Sequence, residues 1–216
     1  MLKREFFERS PDIVAPQLLG KVIMMKSEDG RISGKIVETE AYFGEDDPSS
    51  RAYKRRNLNF YSRMSGTPGR LLIYMVHNNW LLNIVSHERK DAGAVLIRAV
   101  EPLEGIEIMR RNRGKDDIKL LTNGPGKFTK SFAIDKRFDG VDITDKRAPI
   151  LILHKEEKVV IVSSKRIGVK EDLPANYRFY IKENSYVSKF HLKNKCFLQP
   201  VIKPESNLIM NDINNH

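Results

Sequence analysis

The chain has 216 residues, enough for one large domain or two small ones with a buried core. Lysine and arginine number 38 against 28 aspartates and glutamates, which gives a net charge of +10. This surplus favours a polyanionic partner, a nucleic acid or an anionic membrane surface, although a lysine-rich surface would give the same count. The single cysteine, Cys196, excludes a disulfide within the chain and a cysteine-based metal site.

The N-terminus and the apolar runs indicate where the protein acts. The charged residues 1–5 are not followed by an apolar segment, so no signal peptide is predicted. No apolar run is long enough to cross a bilayer. We therefore expect a monomer in the cytoplasm, associated with the nucleoid and not with a membrane.

The N-terminal third is predicted to hold one helix, one hairpin and a long loop. Ser10 as cap and Pro11 in the first turn predict a helix over 10–19, which Gly20 ends. The turn pair Asp29-Gly30 joins predicted strands over 21–26 and 32–42. Residues 44–70 are rich in Pro, Gly, Ser and basic side chains and are predicted to form one long basic loop.

Further strands and helices are predicted from apolar periodicity. The strands cover 71–76, 80–85, 94–100, 150–153, 159–162 and 178–181, with a polar break over 77–79. The helices cover 103–113, 117–121 and 127–133. Because the strands form hairpins and do not alternate with helices, we expect a single α+β domain over 1–203, followed by a flexible tail over 204–216.

Two glutamates alternate along the second predicted strand. Glu38, Glu40 and Tyr42 share one face of it, because successive side chains of a strand point to opposite faces. A solvated edge face would accommodate both charges. Alternatively, one carboxylate activates water, since a carboxylate base suits attack at a sugar C1′ with an oxocarbenium-like transition state.

An arginine interrupts the apolar strand over 94–100. Arg98, if buried, needs an anionic partner. One interpretation is a structural ion pair with Glu101 or another carboxylate. The other is a functional contact, in which Arg98 holds a phosphate or orients the catalytic carboxylate.

Two basic segments suit nucleic acid. Gly124, Gly126 and Lys127 lie at a predicted helix start, where backbone N–H groups can hold a phosphate, although a plain helix start has the same spacing and a Walker A loop is absent. In the predicted basic loop, cations and rings are interleaved, as in proteins that contact phosphates and base faces, or as in a solvated mobile loop. These loop residues are Arg51, Lys54, Arg55, Arg56 and Arg63, with Tyr53, Phe60 and Tyr61.

No metal site is predicted. The five histidines show no ligand spacing, so each is expected at the surface or in a turn. The acidic run Glu45-Asp46-Asp47 could bind Mg²⁺, but a solvated turn explains it more simply.

Six segments, in order, resemble the alkyladenine (3-methyladenine) DNA glycosylase family. The most specific pair is Glu-Thr-Glu-Ala-Tyr within 36–42 and Arg-Ala-x-Glu-Pro-Leu-Glu-Gly within 96–105. The other segments are 18–20, 123–127, 166–169 and 178–180, so the resemblance covers roughly 18–187.

The resemblance implies a single α+β domain with a curved antiparallel sheet flanked by helices. It implies a monofunctional DNA glycosylase that flips alkylated or deaminated purines (3-methyladenine, 7-methylguanine, hypoxanthine) out of duplex DNA and hydrolyses the base–sugar bond. It implies no metal, no other cofactor and no lyase chemistry. Glu40 matches the general base, and Arg98 matches the arginine that holds the attacking water beside it. Ile167 matches a residue whose backbone carbonyl contacts that water.

The resemblance also implies a base pocket. Tyr42 and Tyr74 match the rings that sandwich the flipped base, with Ile73 as an alternative to Tyr74 because the segment is one residue short. Asn83 matches an asparagine that discriminates against the 2-amino group of normal guanine. An alkylated, cationic purine would be attracted to the ring faces by a cation–π interaction of about 1–2 kcal/mol.

Two positions depart from the family pattern. Arg51 stands where the family has a histidine in the pocket, so either the substrate range differs or Arg51 contacts a phosphate. The family inserts a tyrosine into the DNA base stack as a wedge, and that tyrosine aligns near His77. The resemblance therefore implies that the wedge residue here is His77 or Asn78.

Two other functions stay open from the sequence alone. One is a metal-dependent nuclease that uses Glu38, Glu40, Asp46 and Asp47. The other is a non-catalytic nucleic-acid-binding module on the same fold.

Overall fold

An antiparallel sheet forms the centre of the fold. The computed structural model describes residues 1–188 and 199–201; Cys196 and the predicted tail over 204–216 lie outside them. The strands are β1 (Val22–Ser27), β2 (Gly30–Phe43), β3 (Leu71–Val76), β4 (Asn79–Val85), β5 (Gly93–Glu104), β6 (Ile150–Leu153), β7 (Ile161–Ser164), β8 (Arg178–Ile181) and β9 (Gln199–Val201). These nine described strands pair in the order β3-β4-β5-β2-β8-β7-β9, with β1 paired to β2 and β6 to β1.

Short helices cover the sheet. Within the described ranges they are α1 (Pro11–Leu18), α2 (Leu58–Met64), α3 (Ile106–Arg113) and α4 (Pro125–Ser131). The predicted α+β class is therefore confirmed. No helix in this part of the chain is long and apolar enough to cross a membrane.

Strand β2 is the longest strand and lies inside the sheet. It pairs with β1 and β5, and at Glu38 to Glu40 also with β8. Its register against β5 shifts on both sides of Glu38, which marks a bulge. The strand is therefore not at an edge, and the side chains of Glu38 and Glu40 are fully buried. The interpretation of this segment as a solvated edge face is wrong.

The loop predicted over 44–70 contains regular structure. A 3₁₀ turn covers Tyr53–Arg55, and α2 follows. Asn57 caps α2, since its side-chain oxygen accepts a hydrogen bond from the Phe60 backbone N–H at 2.9 Å. Phe60 and Met64, one helical turn apart, are both buried. The prediction of a structureless loop is therefore wrong, and an Asn cap before an i,i+4 apolar pair was the missed signal.

Other boundaries differ from the predictions for local reasons. The helix predicted from 103 begins at Ile106, because β5 continues to Glu104, which pairs with Ser33. The helix predicted over 117–121 is only a 3₁₀ turn, Ile118–Leu120. The last predicted helix begins at Pro125 and ends at Ser131. The break predicted over 77–79 is a two-residue turn, because Asn79 pairs with Val76.

Strand β7 lies two residues later than predicted. It covers Ile161–Ser164 and pairs with β8, so two serines take part in the sheet. Both are buried. Ser164 accepts a hydrogen bond from the Arg178 guanidinium at 3.0 Å, which stabilises its buried hydroxyl.

Apolar side chains pack on both faces of the β3–β4–β5 region. The main core includes Leu71, Ile73, Leu82 and Ile84. A second, smaller cluster on the alternate positions contains Ala52, Phe60, Met64, Leu72, Val85, Ala92 and Ala94, with Tyr42, Tyr61 and Tyr74 packed against it. The second cluster joins the 44–70 segment to the sheet and lines the site described next.

Candidate active site

Two carboxylates and an arginine meet at the middle of the sheet. Arg98 of β5 donates from Nε to Glu38 at 3.0 Å and from Nη1 to Glu40 at 3.2 Å. Both glutamates extend from β2 towards the same arginine, as their alternation predicted. Glu101, the neighbouring carboxylate considered from the sequence, instead pairs with Lys35 at 2.9 Å. The ion pair predicted for Arg98, with Glu101 or another carboxylate, therefore forms with Glu38 and Glu40 and not with Glu101.

Glu40 accepts three hydrogen bonds in full burial. Besides Arg98, the Tyr42 hydroxyl donates to Oε2 at 2.8 Å and the Ile167 backbone N–H donates to Oε1 at 2.7 Å. Burial and the charge of Glu38 raise the pKa of Glu40 above its ordinary value of 4.5, and Arg98 opposes this shift. The carboxylate therefore accepts a proton more readily than a solvated glutamate.

The pKa of Glu38 is shifted in the opposite direction to that of Glu40. Burial alone would raise its pKa, but Arg98 and Arg178 outweigh burial, and the pKa of Glu38 lies below 4.5. Arg178 donates to Glu38 at 2.7 Å, and Ser188 donates from its backbone N–H at 2.7 Å and from its hydroxyl at 2.8 Å. Adjacent carboxylates whose pKa values are shifted apart are typical of a division of roles. Glu38 stays ionised and anchors Arg98, which leaves Glu40 as the candidate base.

A buried arginine fixes the segment that contacts Glu40. Arg166 makes a two-pronged ion pair with Asp47 at 2.6 and 2.8 Å and a second ion pair with Asp172 at 2.6 Å. Its guanidinium carbon lies 4.6 Å from the ring centroid of Tyr42. Arg166 is bonded to Ile167, so this network holds the Ile167 N–H against Glu40. The roles of Arg166, Asp47, Arg178 and Ser188 were missed from the sequence.

Replacing Arg166 with methionine is expected to cost about 3–5 kcal/mol of unfolding free energy, because the buried charge of Asp47 would lose its cationic partner and keep only two backbone N–H donors. Denaturant unfolding measures this. Arg147→Met is the control, since the Arg147 side chain is 91% exposed, and should change stability by no more than about 0.5 kcal/mol. An Arg166→Met value as small as the control would show that the ion pair contributes nothing to the fold.

Four predicted pocket residues line one cleft. Tyr42, Arg51, Tyr74 and Asn83 surround it together with Ser49, Ser50, Phe60, Met64, Leu72 and Ala94. Ile73, the alternative to Tyr74, packs in the main core on the other face of the strand. Asn83 donates from Nδ2 to the Leu72 carbonyl at 3.1 Å. Arg51 stacks on Tyr74, and the space left is about 10 Å³, enough for no more than one water molecule.

The predicted wedge residues form a hairpin tip. His77 and Asn78 connect β3 to β4, and both have positive φ angles, 45° and 59°. This geometry is that of a tight type I′ turn, and both side chains are exposed. Tyr74 lies on the same strand, β3, so the tip projects from one wall of the cleft.

The candidate phosphate loop lies beside that hairpin. Gly124 precedes α4, and a Cβ at Gly126 would lie 2.6 Å from the Asn79 side chain, so this glycine lets the helix pack against β4. Lys127 is exposed and donates to Asn123 at 2.8 Å. Burial and the nearby charge of Arg113 lower the pKa of Lys127.

The cations of the 44–70 segment differ in their surroundings. Arg63 is half-buried and pairs with Asp139 at 2.6 Å, and Arg55 pairs with Glu45 at 2.6 Å. Lys54 and Arg56 are exposed and lie over the Tyr53 ring. These exposed side chains add positive charge to the segment that also carries Arg51.

Three of the four acidic residues considered for a nuclease metal site, Glu38, Glu40 and Asp47, are engaged by arginines. Glu38 is paired with two arginines and Asp47 with Arg166. Within the described ranges, no group of three or more His, Cys, Asp or Glu side chains could hold a metal ion. The geometry therefore does not support the nuclease alternative.

Comparisons with known proteins identify the family. The sequence model of the methylpurine-DNA glycosylase family matches residues 5–185. The chain belongs to this family. A relative from Aeropyrum pernix is 38% identical over 192 residues, which cover 88% of this chain and 93% of the relative. One from Clostridium novyi is 40% identical over 200 residues, covering 87% and 98%. Both are named as candidate 3-methyladenine DNA glycosylases.

Membership in the methylpurine-DNA glycosylase family establishes the class of reaction. The chain is a DNA glycosylase, a hydrolase of the bond between base and sugar that acts in DNA repair. The resemblance inferred from the sequence is confirmed. The interpretation as a non-catalytic binding module is not supported, because the family is enzymatic.

Proposed function

We propose that this glycosylase excises 3-methyladenine, 7-methylguanine and hypoxanthine from duplex DNA by flipping the nucleotide and activating water for attack at C1′. The observation that carries the proposal is the position of Glu40. It is a buried carboxylate with a raised pKa, hydrogen-bonded to Tyr42, and Tyr42 is itself a wall of the cleft. A base with this environment suits proton abstraction from water near neutral pH.

In the reaction, the water oxygen bonds to C1′ while one water proton passes to a Glu40 oxygen. The C1′–N bond breaks, and its electron pair leaves with the purine. An alkylated, cationic purine leaves as a neutral base without a general acid. Hypoxanthine leaves as an anion and takes a proton from solvent, to which Glu40 returns the proton that it accepted. Arg98 and the Ile167 backbone N–H hold Glu40 in place. Arg98 and the Ile167 carbonyl would contact the water beside it.

Flipping is required because the bond is inaccessible within stacked DNA, and damaged, weakly paired bases cost least to flip. Tyr42 and Tyr74 provide rings for stacking the flipped purine once Arg51 moves aside, because the present cleft holds no more than one water. Burial raises the pKa of both phenols, so both stay neutral hydrogen-bond donors. Asn83, which lies 2% exposed in the cleft, discriminates against the 2-amino group of normal guanine.

The surface around the cleft suits duplex DNA. The exposed tip at His77 and Asn78 is shaped to enter the gap that a flipped nucleotide leaves. Lys54 and Arg56 lie exposed on the 44–70 segment, and Gly124, Gly126 and Lys127 lie beside the same hairpin. These groups would bind phosphates on either side of the lesion.

Base release from duplexes that each carry one defined lesion tests the proposal, with chelator present. Released 3-methyladenine, 7-methylguanine or hypoxanthine in EDTA, with an intact abasic strand, is the expected result. Strand cleavage that EDTA abolishes would favour the nuclease. Binding without release would leave only the binding module.

A further inference from the structure

Arg51 places an unneutralised positive charge at the entrance of the base cleft. Its guanidinium carbon lies 4.7 Å from the ring centroid of Tyr74, and Nη2 donates to the Met75 carbonyl at 3.2 Å. Among the described residues, no carboxylate pairs with it within 4.0 Å, in contrast to Arg55 and Arg63. The carbonyl contact anchors the guanidinium without neutralising its charge.

We propose that Arg51 determines substrate specificity, by favouring neutral purines with free O6 and N7 acceptors over purines made cationic by alkylation. The inference rests on the proposed function and names the substrate class that the cleft prefers. Hypoxanthine presents O6 and N7 together, and the guanidinium fork can donate to both. In 7-methylguanine the methyl group blocks N7, and the ring carries a positive charge.

Arg51 weakens the binding of cationic purines in two ways. The guanidinium of Arg51 already makes a cation–π contact with the Tyr74 ring. A cationic purine therefore gains less from stacking on that ring. The charge of Arg51 would also repel that of a cationic purine across a partly solvated entrance, which weakens binding about tenfold. The charge of Arg51 already acts on Tyr74, since it opposes the burial-driven rise in that residue's pKa.

The test compares single-turnover release of hypoxanthine and 7-methylguanine by the wild type and by Arg51→Gln. The expected change is a rise of about tenfold in the 7-methylguanine-to-hypoxanthine rate ratio, with hypoxanthine release slowed and 7-methylguanine release accelerated. Arg51→Lys keeps the charge and loses the fork, so it should slow hypoxanthine release without accelerating 7-methylguanine release. Arg147→Gln, which removes an exposed charge elsewhere, should leave the ratio unchanged.

The outcomes separate the inference from the proposed function. Equal losses on both lesions with Arg51→Gln would mean that Arg51 binds a phosphate, and would overturn the specificity role alone. An unchanged ratio and unchanged rates would also overturn it. A wild type that releases neither base overturns the proposed function and the inference together.

Discussion

Replacing Glu40 with glutamine is expected to slow base release about a thousandfold, within the 10²–10⁴ range of general-base catalysis, while DNA affinity stays unchanged. The amide oxygen can still accept from Tyr42 and Arg98, which share one carboxylate oxygen, so only the Ile167 N–H loses its acceptor. The amide cannot take a proton from water. Single-turnover kinetics on a hypoxanthine duplex, together with a binding titration, measures both quantities.

The pH profile adds a second readout for the same variant. In the wild type, release should fall as the pH drops through the pKa of Glu40, which lies above 4.5, because only the ionised carboxylate accepts a proton. Residual release by Glu40→Gln should lack this acid limb. Glu107→Gln, which changes a carboxylate that is 80% exposed on α3, is the control and should match the wild type. Full activity of Glu40→Gln would eliminate Glu40 as the base.

Replacing Arg98 with glutamine should move the acid limb to higher pH and lower the plateau rate. The charge of Arg98 lowers the pKa of Glu40, so its removal lets burial and Glu38 raise that pKa further. Glu40 is then protonated at a higher pH and loses its function as a base there. Loss of the hydrogen bond from Arg98 Nη1 to Glu40, which is 3.2 Å long, should also misplace the Glu40 carboxylate. A displacement of about 1 Å can lower the rate a hundredfold.

Arg98→Lys is the matched variant for this prediction. It keeps the positive charge but cannot bridge Glu38 and Glu40 with a planar fork. The acid limb should therefore stay near that of the wild type while the plateau rate falls. A limb that stays in place with Arg98→Gln would show that Arg98 does not act on Glu40 electrostatically. Circular dichroism of each variant verifies that the protein is folded.

The local parts of the site could be predicted from the sequence. The alternation of Glu38, Glu40 and Tyr42 placed three side chains on one face, and burial of Arg98 in an apolar strand required an anionic partner. Apolar periodicity also predicted β3, β6 and β8 with the bounds that the structure shows. The cleft residues Tyr74 and Asn83 came from the family resemblance, and strand pairing places Asn83 opposite Leu72, next to Tyr74.

The long-range parts could not be predicted, because no local pattern fixes which distant charges meet. Arg178 is 140 positions from Glu38, and Arg166 is 119 positions from Asp47. The bulge at Glu38 and the extension of β5 to Glu104 depend on pairing between strands rather than on residue propensity. The position of Arg51 over Tyr74 likewise depends on how the 44–70 segment folds back across the sheet.

A crystal structure of the Glu40→Gln variant bound to a duplex with one hypoxanthine tests the central claim most directly. The predicted result is a flipped nucleotide with its base between Tyr42 and Tyr74, and one water about 3 Å from the side chain at position 40, on the C1′ side. A nucleotide bound with C1′ facing away from position 40, or a side chain there still sealed from the bound sugar by Arg98, would contradict it.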